Sequence, residues 1–229
     1  MKTKIYIVRH AEASGNINGT FQGMTDCEIS EKGKHQLELL KTYFDDIAID
    51  AIYSSPLKRT MATAKAVNGT HDLPIQTVYD LHEINGGVWE GNSWESLPNL
   101  YPDLYEKWND RPHEFHALEG ESMQDVYDRM KNAVDTIARE NEGKTVVVVS
   151  HGCAIRNFLC YATGVSFENL CDVIWLENTA VSLVEYDEKQ HVSVKFINDT
   201  SHLSNEDMTV AHQTWWRTGK NDKAEVCLS

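Results

Sequence analysis

A chain of 229 residues, 41% hydrophobic and 24% charged, can bury one sizeable core, and no shift in composition splits it into unlike halves, so a single domain over 1–229 is expected. Its formal charge of −14 repels nucleic acid and anionic membranes, so a phosphate-bearing ligand would need a local cationic pocket. No apolar run approaches the roughly 18 residues of a bilayer span, no secretory pattern opens the chain, and five scattered cysteines without a CxxC pair fit a reducing cytoplasm and no zinc site.

Lys4 to Val8 is an uninterrupted β-branched and aromatic run, read as a buried strand that ends at Arg9-His10. Ser30 is a plausible N-cap for a helix over 30–45, where Leu37, Leu39, Leu40 and Phe44 approach helical spacing and Gly33 weakens the start. Ala51 to Ser54 reads as a short strand. Pro56 then takes the first-turn place that proline favours in a helix over about 57–67. Ile75 to Val78 is a third short strand. The segment 84–119, rich in Gly, Pro, Trp and Asn, reads as an excursion from the core with short helices near 94–109.

Ser122 with Asp125 three residues on marks the start of a helix over about 122–140. Thr145 to Val149 is the most apolar stretch and delivers Ser150-His151-Gly152 at its end, with a helix over 153–163 behind it. Strands over 180–186 and 191–197, separated by Asp187, Glu188 and Lys189, form a hairpin. Strands alternating with helices imply an α/β fold of three layers, a mostly parallel sheet covered on both faces, with ligands held beyond the strand C-termini. Arg9-His10 and Ser150-His151 both stand at such ends and could meet at one site.

An Arg-His pair alone says little. Together, Arg-His-Ala-Glu at 9–12, Ser-Ser-Pro-Leu-Lys-Arg at 54–59, Glu83 before Gly-Gly-Val-Trp-Glu-Gly, and Ser-His-Gly at 150–152 supply two imidazoles, two guanidiniums and several carboxylates. That set suits phosphoryl transfer to a histidine: a neutral imidazole attacks phosphorus, arginine forks neutralise the phosphate oxygens, and a carboxylic acid protonates the departing alkoxide. The residues alone leave Glu12, Glu83 and Glu90 equal as the acid.

The ordered motifs resemble the histidine phosphatases of the phosphoglycerate-mutase-like branch, the broad-specificity and α-ribazole phosphatases among them. They are Ile-Val-Arg-His-Ala-Glu, Asn16, Gln22-Gly23, Ser54 to Arg59, Glu83 with Trp89-Glu90-Gly91, Gly120-Glu121-Ser122, His151-Gly152, Asn178 to Val181 and Asn198 to Leu203, spanning residues 4 to about 203. Ala11 stands where many members have glycine. The resemblance implies that His10 accepts the phosphoryl group, that Arg9, Arg59 and His151 surround it, and that Glu83 donates the proton. Asn16, Gln22, Gly23 and Gly152 are then the remaining phosphate- or substrate-binding positions, with no metal and no cofactor.

The expected reaction is hydrolysis of small phosphorylated metabolites through a phosphohistidine. A cofactor-dependent phosphoglycerate mutase and a non-catalytic phosphate binder are the alternatives. Hydrolysis is preferred because the excursion offers only Lys107 and Arg111 as cations and no Arg-Arg pair lies between Glu83 and His151. Trp89, Trp94 and Trp108 are expected to pack the excursion onto the core, with pocket lining the lesser reading. His113, Glu114, His116 and Glu119 lack helical metal-ligand spacing and read as solvated surface. Cys153 and Cys160 read as idle buried thiols, and a homodimer stays open.

Overall fold

The computed structural model describes residues 2–212; Cys227 lies outside the described residues. The centre of the fold is a six-stranded sheet, β1 (Thr3–Arg9), β2 (Ala51–Ser54), β3 (Ile75–Thr77), β4 (Thr145–Ser150), β5 (Val181–Tyr186) and β6 (Val192–Asp199), in the order β3-β2-β4-β1-β5-β6. β1, β2, β3 and β4 run parallel, and the hairpin β5–β6 adds antiparallel to β1. Central strands covered on both sides read as unbroken apolar runs, and their side chains alternate between two cores. Ile5, Ile7, Val146 and Val148 face one core, and Val8, Ile52, Val147 and Val149 the other.

Helices α2 (Glu31–Phe44) and α3 (Lys58–Asn68) cover the second face through Leu40, Phe44, Ala64 and Val67. Helices α6 (Met123–Glu140) and α7 (Gly152–Thr163), with the excursion, cover the first. These are the three layers expected from the alternation of elements. Ser122 and Asp125 form the anticipated capping box at the start of α6: the Asp125 N–H donates to Ser122 Oγ at 3.1 Å, and the Ser122 N–H to Asp125 Oδ2 at 2.9 Å.

One local expectation changes, and two local features are added. Pro56 does not open α3; Leu57 is its N-cap and Lys58 its first residue, so the proline lies just outside the helix. Gly33 sits inside α2 because that helix passes close to the 11–13 segment, where a Cβ would come within 2.1 Å of the Glu12 carbonyl oxygen. A five-residue helix, α1 (Ser14–Asn18), lies in the loop after β1. The excursion holds α4 (Leu97–Leu100) and α5 (Pro102–Asp110), near the predicted short helices.

Candidate active site

Parallel pairing of β1 with β4 sets Arg9 opposite Ser150, so the residues that follow, His10 and His151, leave the sheet side by side. Their ring centroids are 5.2 Å apart and both rings are buried. The turn at 178–180 clamps this end of β1. The Asn178 side-chain amide donates to the His10 carbonyl at 2.7 Å, and the Thr179 N–H donates to the Arg9 carbonyl at 3.2 Å.

Each imidazole has its tautomer set by a neighbour whose role is unambiguous. The Ala11 carbonyl can only accept, so His10 Nδ1 carries the proton at 2.7 Å and Nε2 is bare. Arg59 Nε can only donate, so His151 Nδ1 accepts at 3.1 Å and its Nε2–H points at Ser55 Oγ, 2.8 Å away. Burial, then the positive charges of Arg59 and Arg9, push His10 well below the ordinary histidine range. Burial and Arg59 do the same to His151. Both rings are therefore neutral at pH 7.

A cleft opens over this strand end, lined by Arg9, His10, Asn16, Gln22, Glu83 and Gly152. Arg9 donates through Nη1 to the Leu176 carbonyl, while its buried Nε has no protein partner. Gly152 lies close against Arg9: a Cβ there would sit 3.3 Å from Nε and 3.4 Å from Cζ, a contact that Arg9 would relieve by shifting a few tenths of an ångström. The Glu83 carboxylate accepts the N–H groups of Ile84 (2.9 Å), Cys153 (3.0 Å) and Ala154 (2.9 Å). Two of those donors belong to the first turn of α7, so the helix N-terminus and its dipole anchor this acid.

The three acids that sequence could not rank are separated by their partners. Glu12 accepts from the hydroxyls of Ser30 (2.6 Å) and Thr209 (2.8 Å), well inside the protein. Glu90 accepts from the N–H groups of Gly23, Met24, Thr25 and Gly86. Of the three, Glu83 alone lines the cleft.

Arg59, His151 and Gly23 stand behind the cleft wall instead of on it. Arg59 is fully buried, and its Nη atoms donate to the carbonyls of Thr25 (2.8 Å) and Gly23 (2.7 Å). Gly23 is committed at both ends, its N–H to Glu90 and its carbonyl to Arg59. A Cβ there would fall 1.9 Å from the Ile84 carbonyl oxygen, so glycine permits two loops to touch.

Sequence reasoning missed two supporting residues. Glu90 ties down the 23–25 loop, and a lone acid in a Gly-rich run, where backbone N–H groups crowd, was the available signal. Arg129 on α6 belongs to no motif in the sequence. It donates to the carbonyls of Asp80 (2.8 Å) and His82 (2.7 Å) and pairs with Glu121 at 2.7 Å, holding the segment that carries Glu83.

Much of the rest of the cleft is aromatic, with Thr20, Ile84, Asn109 and Cys153 also in its lining. Phe21, Trp94, Tyr105, Trp108 and Trp175 line it, and Trp89 is fully buried behind them. Trp94 and Trp108 thus both pack the excursion and face the cavity; Phe21 and Trp175 were not singled out from sequence. No group of three or more His, Cys, Asp or Glu able to hold a metal ion occurs among the described residues. Cys153 and Cys160 are buried free thiols, and burial raises both above the ordinary range. No helix among the described residues is long and apolar enough to cross a membrane.

The sequence pattern of the histidine phosphatase superfamily, branch 1, matches residues 5–200. The chain belongs to that superfamily. This histidine phosphatase is 34% identical over 200 residues to phosphoserine phosphatase 1 of Hydrogenobacter thermophilus, covering 87% of this chain and 94% of the relative. It is 29% identical over 205 residues to the metal-independent phosphoserine phosphatase of Arabidopsis thaliana, covering 88% and 84%. Among solved structures it superposes on Bacillus stearothermophilus YhfR with a TM-score of 0.85 at 29% identity, over 88% of this chain and all of the other.

Proposed function

We propose that His10 is the nucleophile with which this histidine phosphatase hydrolyses small phosphomonoesters. The observation that carries the assignment is the His10 tautomer: Nδ1–H is held by the Ala11 carbonyl, and the neutral ring lines the cleft beside Arg9 with Nε2 unprotonated. In the first step Nε2 attacks phosphorus, the N–P bond forms and the P–O bond to the alcohol breaks. Glu83, entering this step as the carboxylic acid, gives its proton to the departing oxygen and is left as the carboxylate. In the second step Glu83 takes a proton from water as its oxygen attacks the phosphohistidine, freeing inorganic phosphate and restoring His10.

Arg9, which lines the cleft, grips the equatorial oxygens, and Asn16, Gln22 and Gly152 shape the pocket around them. Arg59 supplies positive field from behind, and the neutral His151 a hydrogen bond through Nε2–H once the substrate draws it from Ser55. Relay of the phosphoryl group to a second hydroxyl is disfavoured, because a multiply charged intermediate needs further cations. Arg111 in the excursion is already paired with Glu106 and Glu114, both at 3.0 Å. The two relatives named as phosphoserine phosphatases support hydrolysis as the reaction class, and one is named metal-independent. The free thiols support a cytoplasmic setting.

Rapid quenching with 32P-labelled monoester tests the assignment. An acid-labile, base-stable label on His10 is expected, absent in His10→Ala and undiminished by EDTA; label on another residue overturns it.

A further inference from the structure

The proposed mechanism uses one end of the cleft and leaves the other unexplained. Beyond the phosphoryl end, Phe21, Trp94, Tyr105, Trp108 and Trp175 line the cleft together with Ile84, Cys153 and the uncharged Thr20 and Asn109. These rings brace one another. Phe21 lies 5.3 Å from Trp94 and 5.6 Å from Trp108, Trp94 lies 5.7 Å from Trp108, and Trp108 stacks on Trp175 at 6.0 Å, measured between centroids. Trp89 wedges behind them, 5.5 Å from Phe21 and 5.0 Å from Phe115. Walls packed this way are formed before any ligand arrives, so little ordering opposes binding.

From the site proposed above we infer that its leaving-group subsite selects phosphate esters of uncharged alcohols bearing an aromatic or bulky apolar group. Charge decides against the first alternative. Arg9 is the only Lys or Arg among the described residues lining the cleft, and its place is at the phosphoryl end. The nearby guanidiniums are engaged: Arg129 by Glu121, Arg111 by Glu106 and Glu114. A carboxylate or second phosphate on the alcohol would lose water against indole rings and gain no cation.

The second alternative is a quaternary ammonium, which aromatic cages also bind. Here Trp175 already carries a cation on its ring, the Arg156 guanidinium 4.7 Å from the centroid. Arg156 is buried and fixed by the carbonyls of Val173 (2.8 Å) and Leu170 (2.9 Å), so it stays behind that wall and opposes a second positive charge. A neutral ring stacks on the same surface without either penalty.

The test is kcat/KM of the full chain for esters whose leaving oxygens are all alkyl: 2-phenylethyl phosphate, ethyl phosphate, O-phosphoserine, 3-phosphoglycerate and phosphocholine. We expect 2-phenylethyl phosphate to lead every other ester by about tenfold or more. Trp94→Ala should cut its advantage over ethyl phosphate at least about threefold. Phosphoserine, 3-phosphoglycerate or phosphocholine equalling it would overturn the inference. Binding of the same esters to the wild-type chain, followed by tryptophan fluorescence, separates the two failures. Selective binding of 2-phenylethyl phosphate without turnover of any ester sinks the phosphatase mechanism and keeps the subsite; turnover without selectivity sinks the subsite and keeps the mechanism.

Discussion

At the scale of single residues, the site works by restricting what each group can do. His10 has one nitrogen tied to a carbonyl and the other left bare, and Glu83 has both carboxylate oxygens held by backbone N–H groups. A proton donor matters in proportion to the basicity of the oxygen it serves, which yields a test specific to Glu83. Glu83→Gln should slow alkyl phosphates by about 100-fold or more and p-nitrophenyl phosphate by less than about tenfold. Steady-state rates on both substrates check this; equal losses would instead assign Glu83 to positioning the α7 terminus. Legibility at this scale was uneven. His10, Arg9 and His151 could be marked because strand ends present side chains to a crevice, whereas ranking Glu83 over Glu12 and Glu90 required knowing partners up to 197 residues away, such as Thr209 for Glu12.

At the scale of elements, the loop at 22–25 is held from two sides. Glu90 accepts its N–H groups and Arg59 its carbonyls, so a segment without regular secondary structure has a fixed shape and presents Gln22 to the cleft. Glu90→Gln would turn one acceptor into a donor facing several N–H groups. The expected outcome is a stability loss of about 1–3 kcal/mol together with a fall in kcat/KM. Urea unfolding and steady-state kinetics measure both, and unchanged stability would show that the loop needs no such anchor. The long elements were legible because periodicity and caps act locally: Ser30 and Ser122 cap α2 and α6 as their spacing implied. Helix α1 was not, because five residues carry no readable period. The aromatic wall was legible only in part, since Trp89, Trp94 and Trp108 are indistinguishable as letters and differ only in how far each is buried.

At the scale of the whole molecule, a parallel sheet brings residue 10 against residue 151 and buries both imidazoles next to two guanidiniums, which links catalysis to stability. The adjacency was readable from the strand pattern; its electrostatic consequence was not, because it depends on burial. His10 faces Arg9, Arg59 and His151, with Glu83 across the cleft. His151 faces Arg59, His10 and Ser55. In the unfolded chain each histidine protonates near its ordinary value of about 6.5, while in the folded protein burial and positive charge hold both well below it. Above that value neither state takes up a proton and the pair contributes no pH dependence. Below it the unfolded chain binds protons that the native state refuses, so stability falls as pH falls. The loss is about 1.4 kcal/mol per pH unit for each histidine while the folded groups stay neutral. Between about pH 7.5 and about pH 5.5 the two together should remove up to about 3 kcal/mol. Other titrating groups are shared with the double variant His10→Asn/His151→Asn, so the difference between the two proteins isolates this contribution. Urea unfolding at both pH values should show the wild-type chain losing about 2–3 kcal/mol more than the variant on acidification. Parallel losses would mean that the folded histidines protonate as readily as free ones, and the neutral nucleophile on which the mechanism rests would then have to be abandoned below pH 6.5.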